Sequence, residues 1–392
     1  MFLHRQVFRR LNSTFVPRHV FPDYRIALTD FKGHQMRAIQ RFQQLLPQLN
    51  LLLELRDSRA PISTRNVIFD DLMVNRRGGN TKRLVLYTKS DLCPKETIEK
   101  LRVWHSELGD EFMTLDSRSA RDVRNLIKIL EWKYDQTIEQ TLGHVEGNEG
   151  LPLGYRILVA GMPNVGKSTL VNTLRFVGAA KTHNLSESVH GSVSHKRRKV
   201  AKTGGQAGVT RATSECIRIA DHRGGIYLYD TPGVSLPGRV TTREKMLSLS
   251  QCGCVKNNLV DPIIQADYLL YIMNLQNPAA YDQYTKGLPT NNVYKVLAGV
   301  GKATGIKDDN GAAIHWIDKW RQGARQTKQK ISFDVETLLD DESFSYKDLV
   351  ARELEQLGPW LSSVPQDGQK SAGQRLSKQA LKAKNSNQLF NL

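Results

Sequence analysis

A chain of 392 residues, 40% hydrophobic and 24% charged, is long enough to bury two cores and excludes a wholly disordered or fibrous protein. Lys and Arg number 56 against 39 Asp and Glu, and the formal charge of +17 points to a polyanionic partner, nucleic acid ahead of an anionic membrane surface. No apolar run reaches the roughly 18 residues that span a bilayer, and Cys93, Cys216, Cys252 and Cys254 form no C-x-x-C pair, so they read as reduced thiols.

The start of the chain reads as an address. Up to Pro22 it carries Arg5, Arg9, Arg10 and Arg18 with no acid, and Leu3, Val7, Phe8 and Leu11 recur at near-helical spacing. Basic, amphipathic and acid-free, residues 1–22 read as a mitochondrial transit peptide outside the fold. Met36, Ile39, Phe42 and Leu46 then repeat at helical intervals, and Leu49 to Leu55 reads as a buried strand. Next come a strand over 83–88, a helix over 95–108, a strand over 111–115 and a helix over 121–132. Residues 136–154, polar and Gly-rich, read as a connection. Strands are expected again over 155–160, 214–220 and 225–230, the last two as a hairpin or neighbours. Alternating strands and helices imply an α/β fold with a parallel sheet and right-handed crossovers. Beyond Leu236 the pattern is mostly helical to about Trp360, and the basic tail from Ser362, with Asp367 its only acid, reads as disordered.

Gly161-Met162-Pro163-Asn164-Val165-Gly166-Lys167-Ser168 matches the phosphate-loop pattern G-x-x-x-x-G-K-[ST] between a strand and a helix. Such loops aim backbone amides and a helix N-terminus at phosphate oxygens. Lys167 is expected to bridge the β and γ phosphates, Ser168 to ligate Mg2+, and Val165, Gly166 and Thr169 to complete the cradle. A chance match in a chain of this length is on the order of one in a hundred, so a simple Gly-rich turn is a poor alternative. Downstream, Asp230-Thr231-Pro232-Gly233 ends a strand, where Asp230 can hold magnesium through water and the Gly233 amide can sense a γ phosphate; Thr210, between the two motifs, is placed for a switch loop that puts its hydroxyl on the metal.

The base is read upstream of the phosphate loop. Thr88-Lys89-Ser90-Asp91 closes a strand: a carboxylate at Asp91 can accept both adjacent donors of guanine but faces an acceptor on adenine, and Lys89 can lie along the ring. Ser117, after the next strand, is expected to offer its amide to the guanine carbonyl. GTP and GDP are therefore the expected ligands.

This order of motifs resembles the circularly permuted ribosome-assembly GTPases of the YlqF/RbgA family, and within it the mitochondrial branch. The likeness extends to Phe31-Lys32-Gly33-His34-Gln35-Met36, to Asp57-Ser58-Arg59-Ala60-Pro61 with Ser63-Thr64-Arg65-Asn66, and to the segment from Leu247 to Asn274, and it covers about 23–360. It implies a Ras-like phosphate-loop GTPase domain in permuted order over residues 23–260, a smaller, mainly helical domain over 261–360, and a basic tail over 361–392. It also implies hydrolysis of GTP, binding to the large mitochondrial ribosomal subunit and its rRNA, and residence in the mitochondrial matrix. Peripheral contact with the inner membrane is allowed by the likeness, although the mature chain shows no amphipathic anchor. His34 corresponds to the histidine tied to hydrolysis in the family, and Asn164 to a residue that holds K+ against the phosphates.

The departures are Thr88 where the family has Asn, Lys32 where it has Pro, and a basic insertion over 178–207 containing Lys196 to Lys199, read as a solvated insertion or an RNA contact. Val234 follows Gly233 where Ras-like proteins use Gln to orient water, and an aliphatic side chain cannot polarise water, so intrinsic turnover should be slow. A nucleotide-gated RNA- or membrane-surface-binding module with negligible catalysis is the competing reading, and a nuclear relative using the 196–199 cluster for import is a third. If Asn164 holds a cation where transition-state charge spreads, potassium should accelerate single-turnover hydrolysis and sodium should not; equal rates in the two salts remove Asn164 from the mechanism.

Overall fold

Leu51, Leu52, Leu53 and Leu55 are buried on both faces of β1 (Leu51–Asp57), the pattern of a central parallel strand. In the computed structural model, which describes residues 15–28, 33–74, 81–143, 150–183, 216–236, 240–322, 329–338 and 344–363, β1 lies between β2 (Lys82–Thr88) and β4 (Tyr155–Gly161). β3 (Phe112–Thr114) flanks β2. Beyond β4 come β6 (Ile226–Asp230) and then β5 (Ile217–Ala220), so the six-stranded order is β3-β2-β1-β4-β6-β5 with β5 antiparallel and the rest parallel. Register sets Asp57 beside Thr88, Leu55 beside Gly161 and Val159 beside Asp230. The expected nucleotide loops therefore leave the sheet at one edge, the carboxyl ends of the strands.

Both faces are covered. Leu53, Leu55, Leu84, Leu86, Ile157 and Val159 face α4 (Ala120–Leu142) and α5 (Lys167–His183) in the larger core. On the other face Leu52, Leu158 and Ala160 pack with α1 (Gly33–Leu45) and α2 (Val67–Val74), while Val85 and Tyr87 pack with α3 (Lys95–Leu108). The helix α4 runs ten residues past its expected end at Trp132, through the segment read as a connection. Tyr134 and Ile138 continue its buried stripe one turn apart, and only Gly143, at φ 77°, ends it. The eight-residue α2 was not expected; its sequence is apolar and too short for a helical period to show.

The helical region follows the sheet. It comprises α6 (Arg243–Cys252), α7 (Pro262–Gln276), the single turn α8 (Asp282–Thr285), α9 (Val293–Thr304) and α10 (Asp309–Arg321). In α7 residues 265–274 are all buried, which makes it the central helix, and Asp261 caps its first turn ahead of Pro262. No helix among the described residues is long and apolar enough to cross a membrane. The cysteines are free thiols. The tail beyond residue 363 lies outside the described residues.

Two segments depart from the expected division. Residues 15–22, expected in the leader, pack on α7: Arg18 forms two hydrogen bonds with Asp267 at 2.6 and 3.1 Å, and the Phe21 ring sits 5.3 Å from that of Tyr268. The last helix, α11 (Tyr346–Ser363), returns to the sheet face instead of closing the helical region: Glu353 takes Arg65 at 2.5 Å and also pairs with Lys245, and the Tyr346 hydroxyl meets the buried Arg56 at 3.1 Å. Ion pairs and single aromatic rings fix both contacts, so hydrophobic periodicity gave no sign of them.

Asp334 joins the helical region to the loop after β1. Its Oδ2 accepts from the amides of Ile62 (2.7 Å) and Ser63 (3.1 Å), while Oδ1 is buried with no hydrogen-bond partner among the described residues. Burial, together with the neighbouring Glu336, pushes this carboxyl up to about 7. The folded protein thus keeps a proton that the unfolded chain has released between about pH 4 and 7, so Asp334 contributes stability at acid pH that is lost as pH rises through 7. Asp334→Asn, which cannot ionise, should come nearest the parent in melting temperature below about pH 4 and exceed it by a margin that grows up to about pH 7; a difference independent of pH contradicts the burial account.

Candidate guanine-nucleotide site

The phosphate loop occupies the turn between β4 and α5. Its first glycine, Gly161, has φ 147°, and a methyl group there would meet the Leu55 carbonyl at 2.4 Å. Because α5 starts at Lys167, the first-turn amides of Lys167, Ser168 and Thr169 point out of a helix N-terminus, where an anion is favoured. The Lys167 ammonium is wrapped by the loop, donating to the carbonyls of Gly161 (3.1 Å) and Met162 (2.5 Å). Burial lowers it to about 8, against the opposing charge of Asp230. Burial in turn raises the Asp230 carboxyl, with Lys167 opposing, so the attraction between the two charges offsets only part of the cost of burying them.

The D-x-x-G turn lies directly on this loop. A methyl group at Gly233 would sit 2.7 Å from the Pro163 backbone, so only glycine permits the approach, and the Val234 amide donates to the Gly161 carbonyl at 3.2 Å. The Val234 side chain is fully buried in the second core with Ile39, Phe42, Leu158 and Ala160. It is a packing residue, consistent with the expectation that it orients no water. His34 falls in the first turn of α1, whose Ile39 and Phe42 share that core, but its side chain lies outside the described residues, as do Thr210 and the basic cluster 196–199.

The base-motif segment reaches the phosphate loop through hydrogen bonds. Thr88 Oγ1 donates to the Val165 carbonyl at 2.6 Å, and Lys89, at φ 57°, donates from Nζ to the Asn164 carbonyl at 2.8 Å and to Asp57 Oδ2 at 2.7 Å. A methyl group on Gly166 would stand 3.6 Å from Thr88 Oγ1 and 3.7 Å from the buried Ser117 Oγ, so both base-side segments converge on the loop. Asp91 is on the rim, a third exposed, with Oδ2 accepting from Arg118 at 2.7 Å. That guanidinium, also held by Asp116, must move aside for both Asp91 oxygens to accept from a base. Asn164 donates through Nδ2 to the Gly253 carbonyl at 2.7 Å, so a cation would have to meet the Oδ1 end of its amide.

Sequence reasoning recognised the loop after β1 only as a likeness, and the structure makes it a junction. Asp57 and Arg59 are fully buried partners at 2.8 Å. Asn66 donates to the Val234 and Ser235 carbonyls at 2.9 and 3.2 Å and caps α2 through the Ile68 amide. The one available signal was a cluster of charged residues at and just after the end of a strand that opens on Leu51, Leu52 and Leu53.

Comparison with known proteins gives the family. A family described as "50S ribosome-binding GTPase" matches residues 156–298. Mitochondrial GTPase 1 of Saccharomyces cerevisiae is 49% identical over 357 residues, covering 88% of this chain and 91% of that protein. This chain belongs to the mitochondrial GTPase 1 family. Mitochondrial ribosome-associated GTPase 1 of Mus musculus is 30% identical, with 75% of this chain and 86% of that protein covered. Among solved structures, nucleotide-bound YlqF from T. maritima aligns over 73% of this chain at 17% identity and a TM-score of 0.43. By this membership the chain is a GTPase.

Thr88 opens the base-motif segment, and its single hydroxyl proton is spent on Val165. Thr88→Asn adds a second donor and should tighten binding of a fluorescent GDP analogue several-fold. Thr88→Val removes the tether and should weaken it about tenfold, the worth of one hydrogen bond near 1.4 kcal/mol. Equal affinities in all three proteins contradict the tether.

Proposed function

We propose that this GTPase is an assembly factor for the large subunit of the mitochondrial ribosome, delivered to the matrix by its basic leader and binding the particle in a GTP-dependent way. The observation that carries this reading is the convergence of base motif, phosphate loop and D-x-x-G turn on one sheet edge, with the switch segment at Val234 and Ser235 tied by Asn66 to the loop that also meets the helical region. A γ phosphate sensed at Gly233 is thereby coupled to a surface outside the pocket. The names of the mouse relative and of the matching family, together with a charge of +17, favour a ribosomal particle and its rRNA as the partner.

In this reading Lys89 and Asp91 select guanine, Ser117 offers its amide to the ring carbonyl, and the 161–169 loop holds the triphosphate. Lys167 neutralises charge on the transferred phosphoryl group. The oxygen donors Ser168, Thr210 and, through water, Asp230 suit magnesium, which supplies charge neutralisation across the β and γ phosphates. His34 would take part in hydrolysis, and Asn164 would hold, through Oδ1, a potassium ion whose charge would stand in for the absent glutamine. The packing of Arg18 and Phe21 favours a leader that ends before residue 16.

Co-sedimentation with purified large mitochondrial subunits tests the proposal. Binding should be strong with a non-hydrolysable GTP analogue, weak with GDP, and should fall steeply between about 50 and 200 mM salt through counterion release. Binding indifferent to both nucleotide and salt contradicts it.

A further inference from the structure

We propose that Arg59 is a positioning residue through which the helical region sets how tightly the guanine nucleotide is held; this rests on the reading of the pocket given above, and not on the identity of the particle. The Arg59 guanidinium divides its donors between two elements. Nε and Nη2 grip Asp57 at 3.0 and 2.8 Å, while Nη1 donates to the carbonyls of Trp320 and Arg321, both at 3.0 Å, at the end of α10. Asp57 holds Lys89, and Lys89 holds the Asn164 carbonyl.

A second arm starts from the same helix end. The Arg321 side chain donates to the carbonyls of Ser250 (2.8 Å) and Gln251 (3.3 Å) at the close of α6, and two residues on the Gly253 carbonyl receives the Asn164 side chain. Both arms therefore terminate on one residue of the phosphate loop, one on its backbone and one on its amide. Together they form a closed ring that also contains the base-motif lysine. Most of it is buried, where hydrogen bonds to charged groups are strong and a lost partner is costly. A guanidinium fits this post because its planar fork serves a carboxylate and two carbonyls at once, whereas an ammonium is a point charge. Displacement of the α10 terminus would shift Lys89 and Asn164 together, which is how an event on the helical region can alter nucleotide release.

Arg59→Lys and Arg321→Gln test the ring, with Lys302→Gln, exposed on α9, as control. Dissociation of a fluorescent GDP analogue is followed by stopped flow, well below each protein's measured melting temperature. Both ring variants should release GDP about fivefold faster or more, roughly 1 kcal/mol of coupling. Their double variant should add less than the sum, because both act on the same ring. The control should match the parent. Parental release rates in folded ring variants overturn the proposal, since a purely structural role moves only the melting temperature. If Arg59→Lys does not fold, Arg321→Gln decides alone. Should the parent protein bind no GDP at all, the pocket reading and this proposal fall together; normal parental binding with unaltered variants fails this proposal only.

Discussion

One buried carboxylate, Asp57, joins the two halves of the site. The strand that ends in the base motif is not the neighbour of the strand that feeds the phosphate loop; β1 lies between them, and Asp57 is its last residue. Burial alone would raise the Asp57 carboxyl, but the Arg59 guanidinium and the Lys89 ammonium outweigh it and hold it well below the usual carboxylate range. Lys89 can then span from Asp57 to the Asn164 carbonyl. Chain order is immaterial to this contact, which depends only on which strands are adjacent.

The same logic organises the rest of the second sheet face. Arg56 is buried against Glu54 at 2.7 Å, Arg83 links Glu54, Asp70 and Asp110, and Arg65 links Asp70 to Glu353 of α11. Buried ion pairs add little net stability after desolvation, but leaving any one member unpaired is severe, so a network of this kind favours one docking of α11 over its neighbours. Aromatic packing supports it, with the Trp104 and Tyr346 rings stacked 5.0 Å apart. Hydrophobic burial holds the helices to the sheet, and the charges decide how the final helix and the loop after β1 sit on it.

These two kinds of force explain what the sequence disclosed. Strands β1, β2 and β4 and the helix α3 were legible because their apolar residues carry the period of the element and Pro or Gly marks its ends. The phosphate loop and the D-x-x-G turn were legible because backbone geometry demands glycine at Gly161 and Gly233. The contacts of Asp57, Arg59, Asn66 and Arg321 were not, since a long polar side chain finds its partner across hundreds of residues with no local periodicity. Thr88 reads in the sequence as a departure from the family's base motif, and its hydroxyl tethers the phosphate loop through Val165, a contact visible only once β2 and the loop are placed together. The extension of α4 was obscured by its polar outer face.

The central claim is that a carboxylate from an early strand and a phosphate loop from a later one form a single guanine pocket. Exchanging Asp91 for Asn tests it most directly, because the amide presents a donor where guanine also presents one, while xanthine offers a carbonyl at that position. Calorimetry of Asp91→Asn with GDP and with xanthosine diphosphate should show affinity lost for the first and gained for the second, each by about a hundredfold for a hydrogen-bonded base edge. Unchanged preference for GDP would mean that the base is read elsewhere and that the two motifs do not share a pocket.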